Sequence, residues 1–254
     1  MLAVERRNRI EKLVIENGSV LVVQLAKQFD VTTETIRGDL LKLEKQGVLV
    51  RTYGGATLAE SEQEIAISER DIINYKEKEK IGKCASQMID DGDTIFLDAS
   101  TSALHLARCI KNKKGLTVIT NAGKVVSELS GCDGIHIVCI GGELNPKNMS
   151  FVGRVAEKMT RENYFADKFF FSCKGVTINR GLVDSSDSEA EIKRIMLENS
   201  EKSVFLCDHD KLGRLAVPVI ANLDAIDCMI TDSDPGDEWT GIIKDGKIDL
   251  IIVD

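Results

Sequence analysis

Residues 31–56 read VTTETIRGDLLKLEKQGVLVRTYGGA, and their first half predicts an amphipathic helix. Small hydroxyl residues open this helix, and Thr32 is a candidate N-cap because its oxygen can accept a backbone N–H of the first turn. At about 100° per residue, Ile36, Leu40 and Leu43 fall on one apolar stripe. We therefore expect one buried face and one polar face.

Two further helical patterns precede this stretch, and a hairpin pattern follows it. AVERRNRIEKLVIENG, residues 3–18, has helical apolar spacing and ends at a helix-stopping Asn-Gly pair. From Val22, apolar residues recur at i, i+3, i+4 and i+7. A β-branched run and the Gly54-Gly55 turn predict two short strands. Three helices closed by a hairpin predict a winged helix-turn-helix over residues 1–57.

A winged helix-turn-helix places its last helix in a DNA major groove and its hairpin on the backbone. Threonines can bond phosphates or base edges, and Arg37 can reach a phosphate or a guanine. Three amphipathic helices are also compatible with a dimerisation cap, which stays open as an alternative. The candidate DNA-binding residues are Thr32, Thr33, Thr35, Arg37, Gly38, Lys42, Lys45, Arg51 and Tyr53.

Residues 58–75 are polar and are expected to form a linker, whereas residues 76–254 show a different pattern. There, strand-length apolar runs such as TIFLDAS alternate with helical stretches such as TSALHLARCIKN. Continuous apolar strands with helical crossovers predict an α/β domain, in which helices cover both faces of a parallel sheet.

The charge is distributed unevenly along the chain. The net charge is −8, yet residues 1–57 hold nine Lys and Arg against seven Asp and Glu. A basic DNA-binding segment attached to an acidic body fits this asymmetry. The seven cysteines include no CxxC pair and mostly lie in apolar runs, so we expect them to be reduced and buried. With no signal-like or membrane-spanning run, we expect a cytoplasmic protein.

In a parallel sheet, the carboxyl ends of the strands and the following helix N-termini form the ligand crevice. DASTS, residues 98–102, puts a carboxylate at a strand end and hydroxyls at a helix start, where an anion such as phosphate is favoured. A plain N-cap with no ligand is the alternative. Three other strand ends add the polar residues Asn121, Gly141, Gly142, Asp208 and Lys211.

The chain lacks the usual motifs of several enzyme and metal-binding classes. No HxxxH or Cys/His spacing suggests a metal site. No GxSxG elbow, Walker loop or GxGxxG suggests serine hydrolysis, nucleotide hydrolysis or dinucleotide binding. We expect no cofactor.

Residues 31–56 resemble the N-terminal signature of the DeoR family of bacterial transcriptional regulators, with its TIRRDL helix and GGA wing. The segments DGDTIFLDAST, VITNA, IGGEL, DKFFFSCKG, EAEIKR and ITD resemble that family's effector domain. The resemblance implies a fold shared with ribose-5-phosphate isomerase and coenzyme A transferases, and a phosphorylated sugar or related metabolite as effector. The effector contacts it implies are Asp98, Ser100, Thr101, Ser102, Asn121, Gly141, Gly142, Glu189, Lys193 and Lys211.

Four positions depart from the family pattern. Gly38 replaces the second arginine of the recognition helix, which removes a cation and costs about 1 kcal/mol of helix stability relative to alanine. Ser100 stands where the family usually has glycine. His209 and Asp210 replace paired serines, which adds a negative charge near any bound phosphate.

Together these patterns predict a DNA-binding repressor of a sugar or carbohydrate catabolic operon, modulated by a phosphorylated metabolite. Because one helix-turn-helix reads a half-site, we expect a homodimer or homotetramer. An isomerase or transferase on the same fold is the alternative, with Asp98, Asp208 or Glu189 as its base. A DNA-binding protein with a ligand-free body is another.

Overall fold

The computed structural model describes residues 2–17, 19–45, 48–52, 54–58 and 66–253. Within these ranges the chain forms a small helical domain at its N-terminus, followed by a larger α/β domain.

Helices with a shared apolar core form the N-terminal domain: α1 Ala3–Asn17, α2 Val22–Phe29 and α3 Thr33–Lys45. The predicted stripe of Ile36, Leu40 and Leu43 is buried against Ile10 and Val14 of α1. The period of the apolar residues therefore predicted correctly which face of α3 points inward.

A tight turn joins α2 to α3. Asp30 adopts a left-handed backbone conformation (φ 52°) and donates its N–H to the carbonyl of Ala26. Thr32 Oγ1 accepts the N–H of Thr35 at 3.2 Å, so the predicted N-cap is confirmed.

The predicted hairpin is part of a three-stranded antiparallel sheet in the order β1-β3-β2. Its strands are β1 Ser19–Leu21, β2 Leu49–Thr52 and β3 Gly55–Leu58. A Cβ placed on Gly55 would lie 2.0 Å from the carbonyl oxygen of Val20. Only glycine lets β1 and β3 approach this closely, whereas Gly54 has open space around it.

Two helices connect the domains: α4 Ile67–Ile72 and α5 Tyr75–Ser86. Helix α4 lies inside the range that we expected to be a linker. Its backbone is anchored to the larger domain, because the N–H of Ile67 donates to the carbonyl of Lys147 at 2.8 Å. This tertiary contact holds a polar segment in a helix that its own composition does not predict.

The larger domain is built on a seven-stranded sheet in the order β15-β14-β12-β9-β4-β5-β6, with every neighbouring pair parallel. The strands are β4 Thr94–Leu97, β5 Leu116–Thr120, β6 Ile135–Cys139, β9 Ala166–Phe171, β12 Ser200–Cys207, β14 Cys228–Thr231 and β15 Asp249–Ile252. The expected parallel α/β architecture is confirmed.

Helices pack on both faces of this sheet: α6 Thr101–Cys109, α7 Gly123–Leu129, α8 Arg154–Asn163, α9 Asp187–Glu198 and α10 Asp237–Asp245. The central strand β9 shows why both faces are apolar. Phe170 joins the core under α5 and α6, while Phe169 and Phe171 join the core on the opposite face. Alternate side chains of a strand point to opposite faces, so a continuous apolar strand requires two cores.

Short antiparallel strands are inserted between the main elements: β7 Glu143–Asn145, β8 Ser150–Val152, β10 Gly175–Thr177, β11 Gly181–Val183 and β13 Val219–Ala221. They form a β7-β8 hairpin and a β10-β11-β13 sheet, neither of which we predicted. Helix α10 and the edge strand β15 also lie beyond the last strand of our prediction. Runs of three or four residues are too short to show a period by themselves.

The cysteines differ in part from expectation. All seven are free thiols, and Cys173, Cys207 and Cys228 are buried as expected. Cys109 and Cys139 are exposed, so the expectation of burial is wrong for them. Cys109 is the last residue of α6, and Cys139 ends the edge strand β6, where no further strand covers it.

Replacing Gly55 by alanine is expected to lower the free energy of unfolding by ~1–3 kcal/mol, because the new methyl group meets the Val20 carbonyl. Urea denaturation of the full chain measures the loss, and duplex binding should weaken with it. The neighbouring Gly54→Ala, which has open space, should change stability by less than about 0.5 kcal/mol. Equal effects of the two substitutions would contradict the packing at Gly55.

Candidate functional site

The outward face of α3 carries most of the predicted DNA-binding residues. Among them, Thr32, Thr33, Arg37, Gly38, Lys42 and Lys45 are exposed, and Thr35 is half-buried. Arg37 pairs with Glu34 at 3.1 Å, but both side chains are more than half exposed. An ion pair this exposed is weak, so Arg37 can exchange Glu34 for a phosphate at little cost.

Arg51 holds the hairpin against α3. Its guanidinium meets Glu44 Oε2 at 2.6 Å, and its backbone N–H donates to Glu44 Oε1 at 3.0 Å. These hydrogen bonds lower the pKa of Glu44 below its ordinary value. Arg51 therefore positions β2 relative to α3, and as a DNA contact it stays a prediction. The other predicted residue of this strand region, Tyr53, lies outside the described residues.

A buried ion pair that we did not predict fixes α3 on α1. Arg6 Nε lies 2.6 Å from Asp39 Oδ2, and Arg7 reaches Oδ1 of the same carboxylate at 3.4 Å. Asp39 and Arg6 are both buried. The sequence signal was available, since Asp39 falls beside the apolar stripe of α3, where an unpaired charge would be costly.

Gly38 lies on the outer face of α3 with nothing within 4 Å of the position its Cβ would take. Packing within the chain therefore does not require glycine here. Any other side chain at this position would point toward the surface that α3 presents.

In the α/β domain, Lys193 of α9 is buried between two strand ends. Its ammonium lies 3.0 Å from Asp98 Oδ2 and 2.5 Å from Asp184 Oδ2, and it donates to the Ser172 carbonyl at 2.8 Å. Burial alone would lower the pKa of Lys193, but the carboxylates of Asp184 and Asp98 outweigh burial and hold that pKa above its ordinary value. Lys193 is thus a permanent cation that joins β4, β11 and α9.

The loop after β4 begins α6 through a serine cap. Ser100 Oγ donates to Asp98 at 2.6 Å and accepts the N–H of Ala103 at 3.1 Å. Ser100 is thus the N-cap of α6, and the helix begins at Thr101. Ser102 Oγ is buried and has no hydrogen-bond partner within the described part of the chain.

Glu189 of α9 accepts several neutral donors. Its Oε1 takes hydrogen bonds from Asn145 Nδ2 at 3.2 Å, Asn148 Nδ2 at 3.0 Å and Ser150 Oγ at 2.5 Å. These donors come from the β7-β8 hairpin, so Glu189 ties that hairpin to α9.

Lys211 and Asp208 form a pair at the end of β12. Lys211 Nζ lies 3.3 Å from Asp208 Oδ2, and Asn74 Nδ2 reaches Asp208 Oδ1 at 3.3 Å. Burial raises the pKa of Asp208, but the charges of Lys211 and Lys78 outweigh it, so the pKa lies below its ordinary value. Asp208 is therefore ionised at neutral pH and pairs with Lys211.

Two predicted effector residues, Asn121 and Gly142, have packing roles in the structure. Asn121 Nδ2 donates to the Phe151 carbonyl at 3.1 Å. A Cβ on Gly142 would lie 2.6 Å from the Val152 carbonyl oxygen, so close backbone packing requires glycine there. Gly141 has open space around it. None of these three lines the cavity described next.

A cavity of about 40 Å³ opens at the carboxyl edge of the sheet. The predicted residues Ser100, Thr101, Glu189, Lys193 and Lys211 line it, and Asp98 lies directly behind Lys193. The structure adds lining residues that we did not predict, namely Arg70, Ala99, Asn148, Cys173, Lys174, Asp184 and Ser185. Asp184 follows β11, a strand of three residues that the sequence pattern does not reveal. Arg70 and Asn148 gave no sequence signal either.

The two domains touch through the turn between β10 and β11 and through the segment that follows Lys211. Arg180, in the turn between β10 and β11, lies 3.4 Å from Glu11 of α1. Leu215 packs against the core of the N-terminal domain. Leu215 follows Lys211 by four residues, so one short segment contacts both the cavity and the N-terminal domain.

The titratable groups around the cavity are already engaged. Asp98 and Asp184 bind Lys193, and Glu189 accepts three donors. Burial raises the pKa of the Cys173 thiol to about 12, so this thiol is not a nucleophile at neutral pH. The arrangement is suited to binding rather than to proton transfer.

Within the ranges described, no group of three or more His, Cys, Asp or Glu side chains is placed to hold a metal ion. Among the helices of the same ranges, none combines the length and apolarity that crossing a membrane requires.

Comparison with known families gives two matches. Residues 6–62 match a DeoR-like helix-turn-helix domain, and residues 73–233 match the DeoR C-terminal sensor domain. The two matches fall on the two domains of the structure.

Similar proteins of known sequence cover the whole chain. The chain is 39% identical to the uncharacterized HTH-type transcriptional regulator YulB of Bacillus subtilis, over 100% of this chain and 98% of that protein. It is 28% identical to the glycerol-3-phosphate regulon repressor of Escherichia coli, over 98% and 99% of the two chains. A solved D-ribose-5-phosphate isomerase overlays on 54% of each chain with 13% identity and a TM-score of 0.41.

Replacing Lys193 by methionine should leave Asp98 and Asp184 buried without their common cation, which costs about 3–5 kcal/mol. Urea denaturation of the full chain measures this change in the free energy of unfolding. Lys202→Met, on the exposed side of β12, is the matched control and should stay within about 0.5 kcal/mol of wild type. If both variants are equally stable, the buried charge cluster does not hold the sheet edge together.

Proposed function

Because this chain belongs to the DeoR family of helix-turn-helix transcriptional regulators, we propose that it represses a carbohydrate catabolic operon and that a phosphorylated sugar or related metabolite sets its affinity for DNA. The observation that carries the proposal is the pairing, in one chain, of an exposed basic helix face with a cavity lined by cations at a helix N-terminus. A protein bound to operator DNA acts in the cytoplasm.

The N-terminal domain supports DNA binding through what α3 leaves exposed. Arg37, Lys42 and Lys45 are on its outer face, and Thr32 and Thr33 are at its start. Cations and hydroxyls at these positions suit phosphates and base edges of a major groove. Arg51 and Asp39 hold β2 and α3 in place, and Arg51 is also a proposed contact to DNA.

The cavity supports a phosphorylated effector through its mixture of groups. Arg70, Lys174 and Lys211 are cations on its wall, and Ser100 and Thr101 provide hydroxyls at the start of α6. A helix N-terminus with nearby cations favours a phosphate. The carboxylates of Asp184 and Glu189 on the same wall can accept hydrogen bonds from sugar hydroxyls. The similarity to a glycerol-3-phosphate regulon repressor supports the same ligand class.

Regulation requires that the effector bind two arrangements of the domains with different affinity. The contact between Glu11 and Arg180 and the packing of Leu215 fix one such arrangement. A ligand at Lys211 lies on the same segment as Leu215 and can therefore alter this contact.

We further propose that the active form is a homodimer or homotetramer. A single α3 reads one half-site, and operators are commonly read by symmetric pairs. Val155 in the first turn of α8 and Phe165 just after its end are 68% and 58% exposed, and they are candidates for a contact between copies. Light scattering of the purified protein measures the state.

Catalysis as an isomerase or transferase is less well supported. Acid–base chemistry needs a carboxylate free to take a proton from a substrate. Asp98 and Glu189 are each committed to partners of their own chain, and Asp208 pairs with Lys211. The N-terminal domain would also have no role in such an enzyme.

Replacing Gly38 by arginine is expected to tighten binding to any DNA duplex. The side chain enters open space on the outer face of α3 and adds one phosphate contact, which steepens the log–log dependence of affinity on salt by about 0.9. Fluorescence anisotropy with a labelled duplex at several salt concentrations measures both effects.

The control is Gly38→Ala, which improves the helix propensity by about 1 kcal/mol without adding charge. It should stabilise the N-terminal domain and leave the salt dependence unchanged. An unchanged slope for Gly38→Arg would place position 38 away from the DNA.

Binding of sugar phosphates to the full chain is expected to raise its stability and change its affinity for operator DNA. A ligand at 100 times its dissociation constant adds about 2.7 kcal/mol of stability. Thermal unfolding with a panel of sugar phosphates, each paired with the unphosphorylated sugar, measures this. Equal effects of both members of each pair would contradict a phosphorylated effector.

Deletion of residues 1–57 should abolish duplex binding.

A further inference from the structure

Helix α4 lies at one side of the cavity. Arg70, in the middle of α4, is part of the cavity wall together with Ser100, Thr101 and Lys211. The cavity volume of about 40 Å³ has room for a few water molecules. Pockets for small-molecule ligands are about 300–1,000 Å³ in volume, so residues of the lining must move to admit a sugar phosphate.

Polar contacts hold α4 on the larger domain. At its start, Ile67 donates to the Lys147 carbonyl at 2.8 Å, and Arg70 donates to the amide oxygen of Asn148. Asp71 pairs with Arg108 at 2.7 Å. Its apolar side chains contribute little at its end, because Ile72 is 74% exposed. Hydrogen bonds and ion pairs at a partly wet surface can be exchanged for those of a ligand at modest cost.

The partners of α4 are also partners of the predicted effector residues. Asn148 binds both Arg70 and Glu189, with its Nδ2 at 3.0 Å from Glu189 Oε1. Asp208 binds both Lys211 and Asn74, the residue that begins α5. An anion that draws Arg70 or Lys211 toward itself therefore alters the contacts that hold α4.

A buried lysine links α4 to the same charges. Lys78 Nζ donates to the carbonyls of Arg70 and Ile73 at 2.7 Å each, at the end of α4. Burial, with the positive charge of Lys211 next in importance, lowers the pKa of Lys78 to about 8. Lys78 is thus close enough to Lys211 to respond to an anion bound there.

The covalent path from α4 to the DNA-binding domain is short. Eight residues, 59–66, separate the last residue of β3, Leu58, from the first residue of α4, Ile67. No other covalent connection joins the domains. A displacement of α4 therefore moves the attachment point of the domain that carries α3.

Resting on the function proposed above, we propose that α4 is a strap across the effector cavity. Arg70 on this strap binds the anionic group of the effector, and its exchange of Asn148 for that group shifts the strap and transmits occupancy to the DNA-binding domain. Arg70 suits this role because its planar guanidinium can bind a phosphate through two hydrogen bonds.

The test compares wild type, Arg70→Gln and Arg70→Lys as full chains, with inorganic phosphate and glycerol 3-phosphate as the probes. Calorimetry measures probe affinity, and anisotropy measures DNA affinity with no probe and with saturating probe. Arg70→Gln should bind both probes about 10- to 100-fold more weakly, as expected for loss of a charged hydrogen bond. Because this variant lacks the contact between Arg70 and Asn148, its DNA affinity without probe should lie closer to that of probe-saturated wild type, and its thermal unfolding shows that it is folded.

The decisive measurement is the change in DNA affinity at saturating probe. This change depends on how the two states are coupled rather than on how tightly the probe binds. If α4 is a strap, saturating probe should change the DNA affinity of Arg70→Gln less than that of wild type. Arg70→Lys should recover part of this change, because it keeps the positive charge but not the planar guanidinium. A full wild-type change at saturation would overturn transmission through α4, and unchanged probe affinity would overturn the proposal altogether.

Arg154→Gln, on the exposed start of α8, is the matched control and should behave as wild type in every measurement. If wild type itself binds neither probe at about 10 mM, the phosphorylated effector of the proposed function fails first, and the role of Arg70 falls with it. If wild type and Arg70→Gln bind the probe equally well, the proposed function stands, and only the role of α4 as a strap is contradicted.

Discussion

The buried cation of Lys193 is the constraint on which the C-terminal domain depends. An ammonium group that is removed from water needs opposite charges close by, and the ends of β4 and β11 supply them as Asp98 and Asp184. This requirement brings the end of β4 to β11 and α9, which follow each other much later in the sequence. It also means that Lys193 is neutralised within the chain, so the proposed contacts to an anion are other cations on the cavity wall.

The N-terminal domain follows the same rule on a smaller scale. Asp39 is buried with Arg6, which fixes α3 on α1, and Glu44 holds Arg51 so that the hairpin keeps its place beside α3. Paired charges therefore orient α3 and the hairpin, whereas the cations on the outer face of α3 are the proposed contacts to DNA. Losing an inner pair would misplace the whole surface, while losing an outer cation would remove one contact.

These two charge systems lie in domains that contact each other. The ion pair between Glu11 and Arg180 and the packing of Leu215 join them directly, and the covalent path passes through α4, which bears Arg70 on the cavity wall. A contact between domains that allows two arrangements of similar free energy can respond to a ligand. The segment from Lys211 to Leu215 runs from the cavity wall to the N-terminal domain.

Local pattern determined much of this protein. The period of its apolar residues predicted α3 with its buried stripe, the cap at Thr32 and the parallel sheet, because each depends on neighbours in sequence. The cavity was predictable only where a side chain follows a strand, as at Asp98 and Lys211. Tertiary structure decided that Lys193 is paired inside the chain, and that α4 is a helix bearing Arg70 on the cavity wall. Those outcomes depend on contacts with Asp98 and with the carbonyl of Lys147, which are distant in sequence. Neither the period of apolar residues nor a sequence motif identifies such contacts.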